Sequence, residues 1–152
     1  MAMDRNRDKR IEVMSPAGNF ESLMAAIQGG ANSVYFGVGK LNMRAKSSVN
    51  FGLQDLSEIA EICNKHNVKT YLTVNTVLYD EDIKLMKQTI SEAKNAGISA
   101  IIASDQAAIM YAREHDVEVH LSTQLNISNT EARKFDSKWA DVVVLARELN
   151  LD

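Results

Sequence analysis

The chain has 152 residues, about the length of one domain, and its 45% hydrophobic and 24% charged content excludes both a disordered and a membrane-spanning polypeptide. Seventeen Lys and Arg against twenty Asp and Glu leave a net charge of -3, so no global positive field exists to hold a polyanion, and any RNA contact must be local. One cysteine, Cys63, excludes a disulfide framework and a self-contained cysteine-rich metal site, and a reducing cytoplasm is the simplest compartment.

Residues 1–10 alternate charge (Asp4, Arg5, Arg7, Asp8, Lys9, Arg10) without an apolar core of signal-peptide length; they read as a flexible basic lead to a domain over residues 11–152. Short β-rich apolar runs follow at 11–14, 33–36, 69–74, 100–103, 117–121 and 141–145, and helical periods lie between them. The first helix follows the N-cap Asn19, carries Phe20, Leu23 and Ile27 on one face, and stops at Gly29 and Gly30. Leu56, Ile59, Ala60 and Cys63 form the stripe of the second. Ile83, Met86, Ile90 and Ala93 form that of the third, with Asp80 as its cap and Gly97 as its end. Asp105 caps a fourth helix reaching Glu114. Ser128 with Glu131 reads as a capping box for a fifth, whose Ala132, Phe135 and Trp139 share a face.

Strict alternation of strand and helix implies parallel strands joined by right-handed crossovers, in an open doubly wound sheet or a closed barrel. The turn Ser15-Pro16-Ala17-Gly18-Asn19 lacks the glycine spacing that brings a backbone against a pyrophosphate, and Gly37-Val38-Gly39-Lys40 has no P-loop spacing. The recurrence of polar residues after every strand favours a barrel-like sheet in sequential order, strand one to strand six. Ligands bind outside the carboxyl ends of parallel strands, where loops are free of core packing. There stand Ser15 and Asn19, Asn42 and Arg44, Asn75 and Thr76, Ser104 and Asp105, Thr123, Gln124 and Asn126, and finally Arg147 and Glu148.

Asn19, Asp80, Asp105 and Ser128 double as helix caps, whereas Arg44, Gln124, Arg147 and Glu148 have no such duty. The substrate-binding candidates are therefore Asn42, Arg44, Asn75, Gln124, Asn126, Arg147 and Glu148, with Arg147 expected to pair with a carboxylate when no ligand is present. The segment from Gly37 to Gly52 is long for a strand-to-helix connection; its Lys40, Asn42, Arg44, Lys46 and Asn50 make a cationic, amide-rich patch suited to a phosphate or carboxylate. His66 and His115 sit at helix C-termini and read as structural. His120 lies in strand five and reads as a satisfied core histidine, with a place in a barrel interior near Ser122 and Gln124 as the alternative. No histidine or cysteine spacing fits zinc, and no G-x-S-x-G elbow is present. Cys63 reads as a small buried hydrophobe. The residues alone assign no catalytic group and no metal ligand.

Six segments in order carry a resemblance: Glu12 to Asn19, Gly29 to Gly37, Leu41 to Ala45, Thr73 to Thr76, Ser122 to Asn126 and Leu145 to Leu149. Together they resemble the N-terminal half of the collagenase-like peptidases, the thirty-second family of unknown catalytic type. The resemblance implies a TIM-type β/α barrel, incomplete here at about six parallel units, since eight need roughly 250 residues. It also implies a truncated domain, with a cysteine-rich later half that in several members holds an iron-sulfur cluster. Members resemble either collagen-degrading proteases or enzymes that hydroxylate a tRNA base, an rRNA base or a quinone ring. Iron-sulfur-dependent RNA hydroxylation is the favoured expectation, with peptidase activity and an anionic-ligand binding module as alternatives. The isolated chain is expected to be inactive and without cofactor, and its unpaired strand edges favour a homodimer; no membrane association is expected.

Overall fold

The computed structural model of the protein describes residues 11–43 and 51–150. The expected basic lead lies outside them, as do Arg44, Lys46 and Asn50. Along the described chain run β1 (Met14–Pro16), α1 (Phe20–Gln28), β2 (Ser33–Gly37), α2 (Leu56–Lys65), β3 (Lys69–Val74), α3 (Ile83–Ala96), β4 (Ala100–Ala103), α4 (Gln106–Glu114), β5 (Val119–Leu121), α5 (Thr130–Asp136) and β6 (Val142–Val143). All strand pairs are parallel and the order is β1-β2-β3-β4-β5-β6. The chain thus forms six units of an α/β half-barrel, in the sequential order expected and not the reversed order of a doubly wound sheet.

Local chemistry explains most boundaries. Asn19 accepts from the Ser22 N–H at 2.7 Å while the Ser22 hydroxyl accepts from the Asn19 N–H at 3.1 Å, a reciprocal box that starts α1. Gly97, at φ +83°, takes the left-handed conformation that ends α3. Other ends differ from expectation. Asp80 begins a single 3-10 turn (Asp80–Asp82), and the N-cap of α3 is Asp82. The cap of α5 is Asn129, whose side chain accepts from the Ala132 N–H at 2.9 Å, and not Ser128. Strand β1 starts at Met14, because Ile11 and Val13 precede the sheet and lie in solvent. β5 and β6 are trimmed to the residues whose neighbours offer hydrogen-bond partners.

Sequential order with right-handed crossovers puts every helix on the same face of the sheet. Val34, Phe36, Leu72, Val74, Ile101, Ala103, Val119 and Leu121 point at those helices and are at most 1% exposed. They meet Leu23, Ile59, Cys63, Met86, Ile90 and Ala108 from the helices. Phe51 locks the end of the long β2–α2 connection to this core, edge-on to Phe20 at 5.1 Å and to Phe36 at 5.6 Å. Phe135 and Trp139 do not join: they are 61% and 48% exposed, and of the face that helical spacing gives them with Ala132, Ala132 alone packs against this core.

The opposite face, which a closed barrel encloses, carries Ser33, Tyr35, Tyr71, Thr73, Ile102 and His120, in register across β2 to β5. At its N-terminal end the Tyr71 hydroxyl donates to Glu12 Oε1 at 2.5 Å, and Lys69 lies 3.4 Å from the other oxygen. The Tyr71 ring lies 4.6 Å from that of His120, whose Nε2 is 2.7 Å from Glu118 Oε1. His120 therefore faces the interior, yet its partners are at the bottom of the sheet and not at Ser122 or Gln124.

Two outcomes follow for stability. Leu72→Ala, which empties a fully buried site in a central strand, is expected to cost about 2–5 kcal/mol in urea unfolding; a loss near zero would mean that β3 is not the centre of the core. Glu12 gives a pH signature. Partial burial opposes its charge, but Tyr71, Ser33 and Lys69 outweigh that and hold its carboxyl below the ordinary 4.5. A group lowered in the folded state stabilises above its ordinary value, and that contribution disappears as pH falls through the folded value. Thermal melts of Glu12→Gln are expected to show a lower Tm at neutral pH and a flatter acid limb than the parent, the two converging once the pH falls below the lowered Glu12 value. Parallel acid limbs would refute the role of Glu12.

Candidate functional site

Because all six strands run the same way, the loops that follow them emerge at one edge of the sheet. That edge carries Asn42 after β2, Asn75 after β3, Ser104 after β4, Gln124 and Asn126 after β5, and Arg147 and Glu148 after β6. Hydrogen bonds join neighbouring loops. Asn75 Oδ1 accepts from the Met43 N–H at 3.3 Å, tying the β3 loop to the β2 loop. The Ser122 N–H donates to the Ala103 carbonyl at 2.8 Å, and its hydroxyl accepts from the Gln124 N–H at 3.4 Å, opening the 3-10 turn Thr123–Leu125. Asn126 ends this turn at φ +50°, a conformation asparagine tolerates. The Ala146 N–H then donates to the Ile127 carbonyl at 2.9 Å, bringing the Arg147 loop against the Asn126 loop. Gln124, Asn126, Arg147 and Glu148 are exposed, and Asn75 is half-buried.

Three sequence-based expectations change. Asn42 is buried, and its Nδ2 donates to the carbonyls of Val38 and Gly39 at 3.3 and 3.1 Å. The amide packs where a Cβ on residue 37 would have to go, so Gly37 and Asn42 build one turn between them. Lys40 is committed to Asp82 at 2.6 Å; this hydrogen bond raises the lysine above its ordinary value and lowers the carboxyl. The expected cationic patch therefore keeps neither Asn42 nor Lys40 for a ligand, and Arg44 and Lys46 lie outside the described residues. Arg147, expected to pair with an acid, makes no ion pair among the described residues. Its neighbour Glu148 is equally uncommitted.

Asp82 is the residue that sequence reasoning missed at this edge. It stands in the run Asp80-Glu81-Asp82, where each acid is a plausible cap and only the register of the 3-10 turn selects one. No sequence signal marked the pairing of Lys40 with an acid 42 residues away.

The remaining groups limit what the segment does chemically. His66 caps the end of α2, His115 has Nδ1 2.8 Å from the Tyr111 carbonyl, and His120 meets Glu118. None is hydrogen-bonded to a serine, threonine or cysteine among the described residues. Among those residues no group of His, Cys, Asp or Glu has the arrangement of a metal site, and no helix is long and apolar enough to cross a membrane.

Comparison with known proteins places this geometry. The model of peptidase family U32 matches residues 18–152. The chain is 67% identical to a collagenase of Porphyromonas gingivalis over 93% of its length and 34% of that protein's. It is 34% identical to the tRNA hydroxylation protein P1 of Bacillus subtilis, covering 92% of this chain and 34% of that one. It is 33% identical to the 23S rRNA 5-hydroxycytidine C2501 synthase of Escherichia coli, covering 94% and 22%. The chain thus spans about a third or less of each of these relatives. The solved U32 peptidase Mk0906 shares its fold at a TM-score of 0.72 and 10% identity, over 95% of this chain and 62% of that one.

Cys63 provides a direct check on the packing that holds the edge in place. It is fully buried, and burial pushes its thiol up to about 11. It is expected to resist a thiol reagent at neutral pH for as long as the protein stays folded, and to react fully in denaturant. Rapid labelling of the native chain would show that α2 does not seal the sheet.

Proposed function

Because the chain belongs to peptidase family U32, we propose that it is the substrate-holding barrel segment of an enzyme that hydroxylates a base of tRNA or rRNA in the cytoplasm. The observation that carries this reading is the strand-end rim. Asn75, Gln124 and Asn126 offer amides able to donate to and accept from the edge of an unpaired base. Arg147 offers a planar, uncommitted guanidinium for a phosphate oxygen. Relatives named for tRNA and rRNA hydroxylation align with nearly the whole segment.

The redox group belongs elsewhere in this reading. An iron-sulfur cluster takes several thiolates, and the one cysteine here is buried in α2 with its thiol protonated, so the described residues do not fit a cluster. Its ligands are assigned to the portion of the whole protein beyond this segment, and the segment alone is expected to be inactive. The 67% identity to a protein named collagenase favours peptidase activity as the second reading. That reading needs a nucleophile or metal set which the described residues do not supply.

Nucleoside mass spectrometry decides between them. Cells lacking the whole protein are expected to lose a tRNA or rRNA nucleoside bearing one added oxygen, and the wild-type gene to restore it. Arg147→Ala in the whole protein is expected to lower that nucleoside roughly tenfold or more, as losing a charge-assisted hydrogen bond implies. Unchanged nucleosides in the deletion strain, with gelatin cleavage by the purified whole protein, would establish the peptidase reading instead.

A further inference from the structure

Helices α2, α3 and α4 pack side against side around the outside of the sheet, whereas α4 and α5 meet far less closely. Between the last two lies a cleft of about 240 Å³, smaller than the ~300–1,000 Å³ of most drug-sized ligand sites and suited to one planar ring. Leu121 forms its floor, Met110 one wall, and Phe135 and Trp139 the other. The three wall residues are 54%, 61% and 48% exposed, an unusual cost in apolar surface for positions at which a polar residue would serve.

The cleft is not purely apolar. Ser104, Gln106 and Asp136 also line it, and their side chains make no hydrogen bond among the described residues. An aliphatic ligand or a core-like helix would strand these groups without partners. A flat ring with hydrogen-bonding edges would satisfy them. A cation flanks the aromatic wall, with Lys138 Nζ 6.0 Å from the centre of the Phe135 ring. Aromatic faces beside cations, with uncommitted polar groups at the edge, make up the chemistry that binds single-stranded nucleic acid. The cleft is also continuous with the rim, since Ser104 belongs to the loop after β4 and Leu125 to the loop after β5 that carries Gln124 and Asn126.

We propose that the α4–α5 cleft is a stacking subsite for an unpaired nucleobase of single-stranded RNA, next to the nucleotide held at the rim. It rests on the RNA reading of the rim and adds to it a second point of contact. The base stacks on Phe135 and Trp139, Asp136 and Gln106 meet its polar edge, and Lys138 lies along the phosphate. Recognition of this kind is local, as a chain of net charge -3 requires.

Trp139 is the chain's only tryptophan and reports on its own cleft. The chain is titrated at low salt with unlabelled oligouridylate and oligoadenylate decamers, following Trp139 emission, and with a fluorescein-labelled decamer followed by anisotropy. Saturable quenching with the same midpoint as the anisotropy is expected. Phe135→Ala, at an exposed position, is expected to weaken binding about fivefold or more, as loss of a stacked base implies, and Lys138→Gln to reduce its salt dependence. Anisotropy that rises while Trp139 emission stays constant, with Phe135→Ala binding normally, would overturn the cleft and leave RNA binding at the rim intact. No binding by either readout would also overturn the cleft, and the nucleoside measurement then decides the RNA reading by itself. An emission change that follows protein concentration without RNA would assign the cleft to a second copy of the chain and equally overturn the proposal.

Discussion

The sequential parallel order of the sheet is the constraint on which everything else depends. Each right-handed crossover returns the chain to the same side of the sheet, so one face collects all five helices and becomes the core. The other face is left to Tyr35, Tyr71, Thr73, Ile102 and His120. Strand β3 shows the division in a single run: Leu72 and Val74 are fully buried against helices, while Tyr71 and Thr73 face inward. The same order sends every post-strand loop to one edge. A site assembled there draws on residues more than a hundred positions apart, such as Met43 and Arg147, without any of them leaving its own β/α unit.

The two ends of the sheet carry different duties. At the N-terminal end Glu12, Lys69, Tyr71, Glu118 and His120 spend their polar groups on one another, and Thr70 and Ser99 exchange backbone-to-side-chain hydrogen bonds at 3.0 Å. These contacts bind β1, β3, β4 and β5 together where no loop has to stay open. At the C-terminal end the loops are held mainly through backbone groups, as in the Ala146 to Ile127 and Ser122 to Ala103 bonds. That economy leaves the side chains of Gln124, Asn126 and Arg147 available. Conservative changes at the bottom are therefore expected to act through stability, and changes at the rim through binding, the usual partition in β/α barrels.

The sequence made the fold legible because period and punctuation agree: β3 and β4 fall on the residues that their apolar runs mark, and Gly97 and Asn19 stand at the helix ends that their chemistry favours. Legibility failed wherever a choice depended on tertiary contact. Asp80 and Asp82 are equivalent as letters, and the register of the 3-10 turn together with the reach of Lys40 distinguishes them. Asn42 looks like a ligand contact until its amide is seen filling the space above Gly37. Phe135 and Trp139 fit a helical stripe, yet α5 extends only from Thr130 to Asp136, so Trp139 falls beyond it, and both rings stay exposed while Ala132 packs on the core. The rim itself was legible as a set of loops. Which of its side chains remain uncommitted was not, since that depends on partners far away in sequence.

A fold of this kind supports many chemistries, and relatives named for proteolysis and for RNA hydroxylation both align with nearly all of this segment. The division of groups within it narrows what the segment contributes in either case. Proteolysis needs an activated nucleophile or a metal-bound water, and hydroxylation needs an electron carrier. The described residues present rim amides, the Arg147 guanidinium and an aromatic cleft, while the histidines are tied to caps or to Glu118 and the cysteine is sealed in the core. In the proposed reading such groups recognise and orient, and the reacting group comes to a substrate held at the strand ends, so exchanging rim loops between relatives tests specificity separately from reaction type, without disturbing the sheet that supports them.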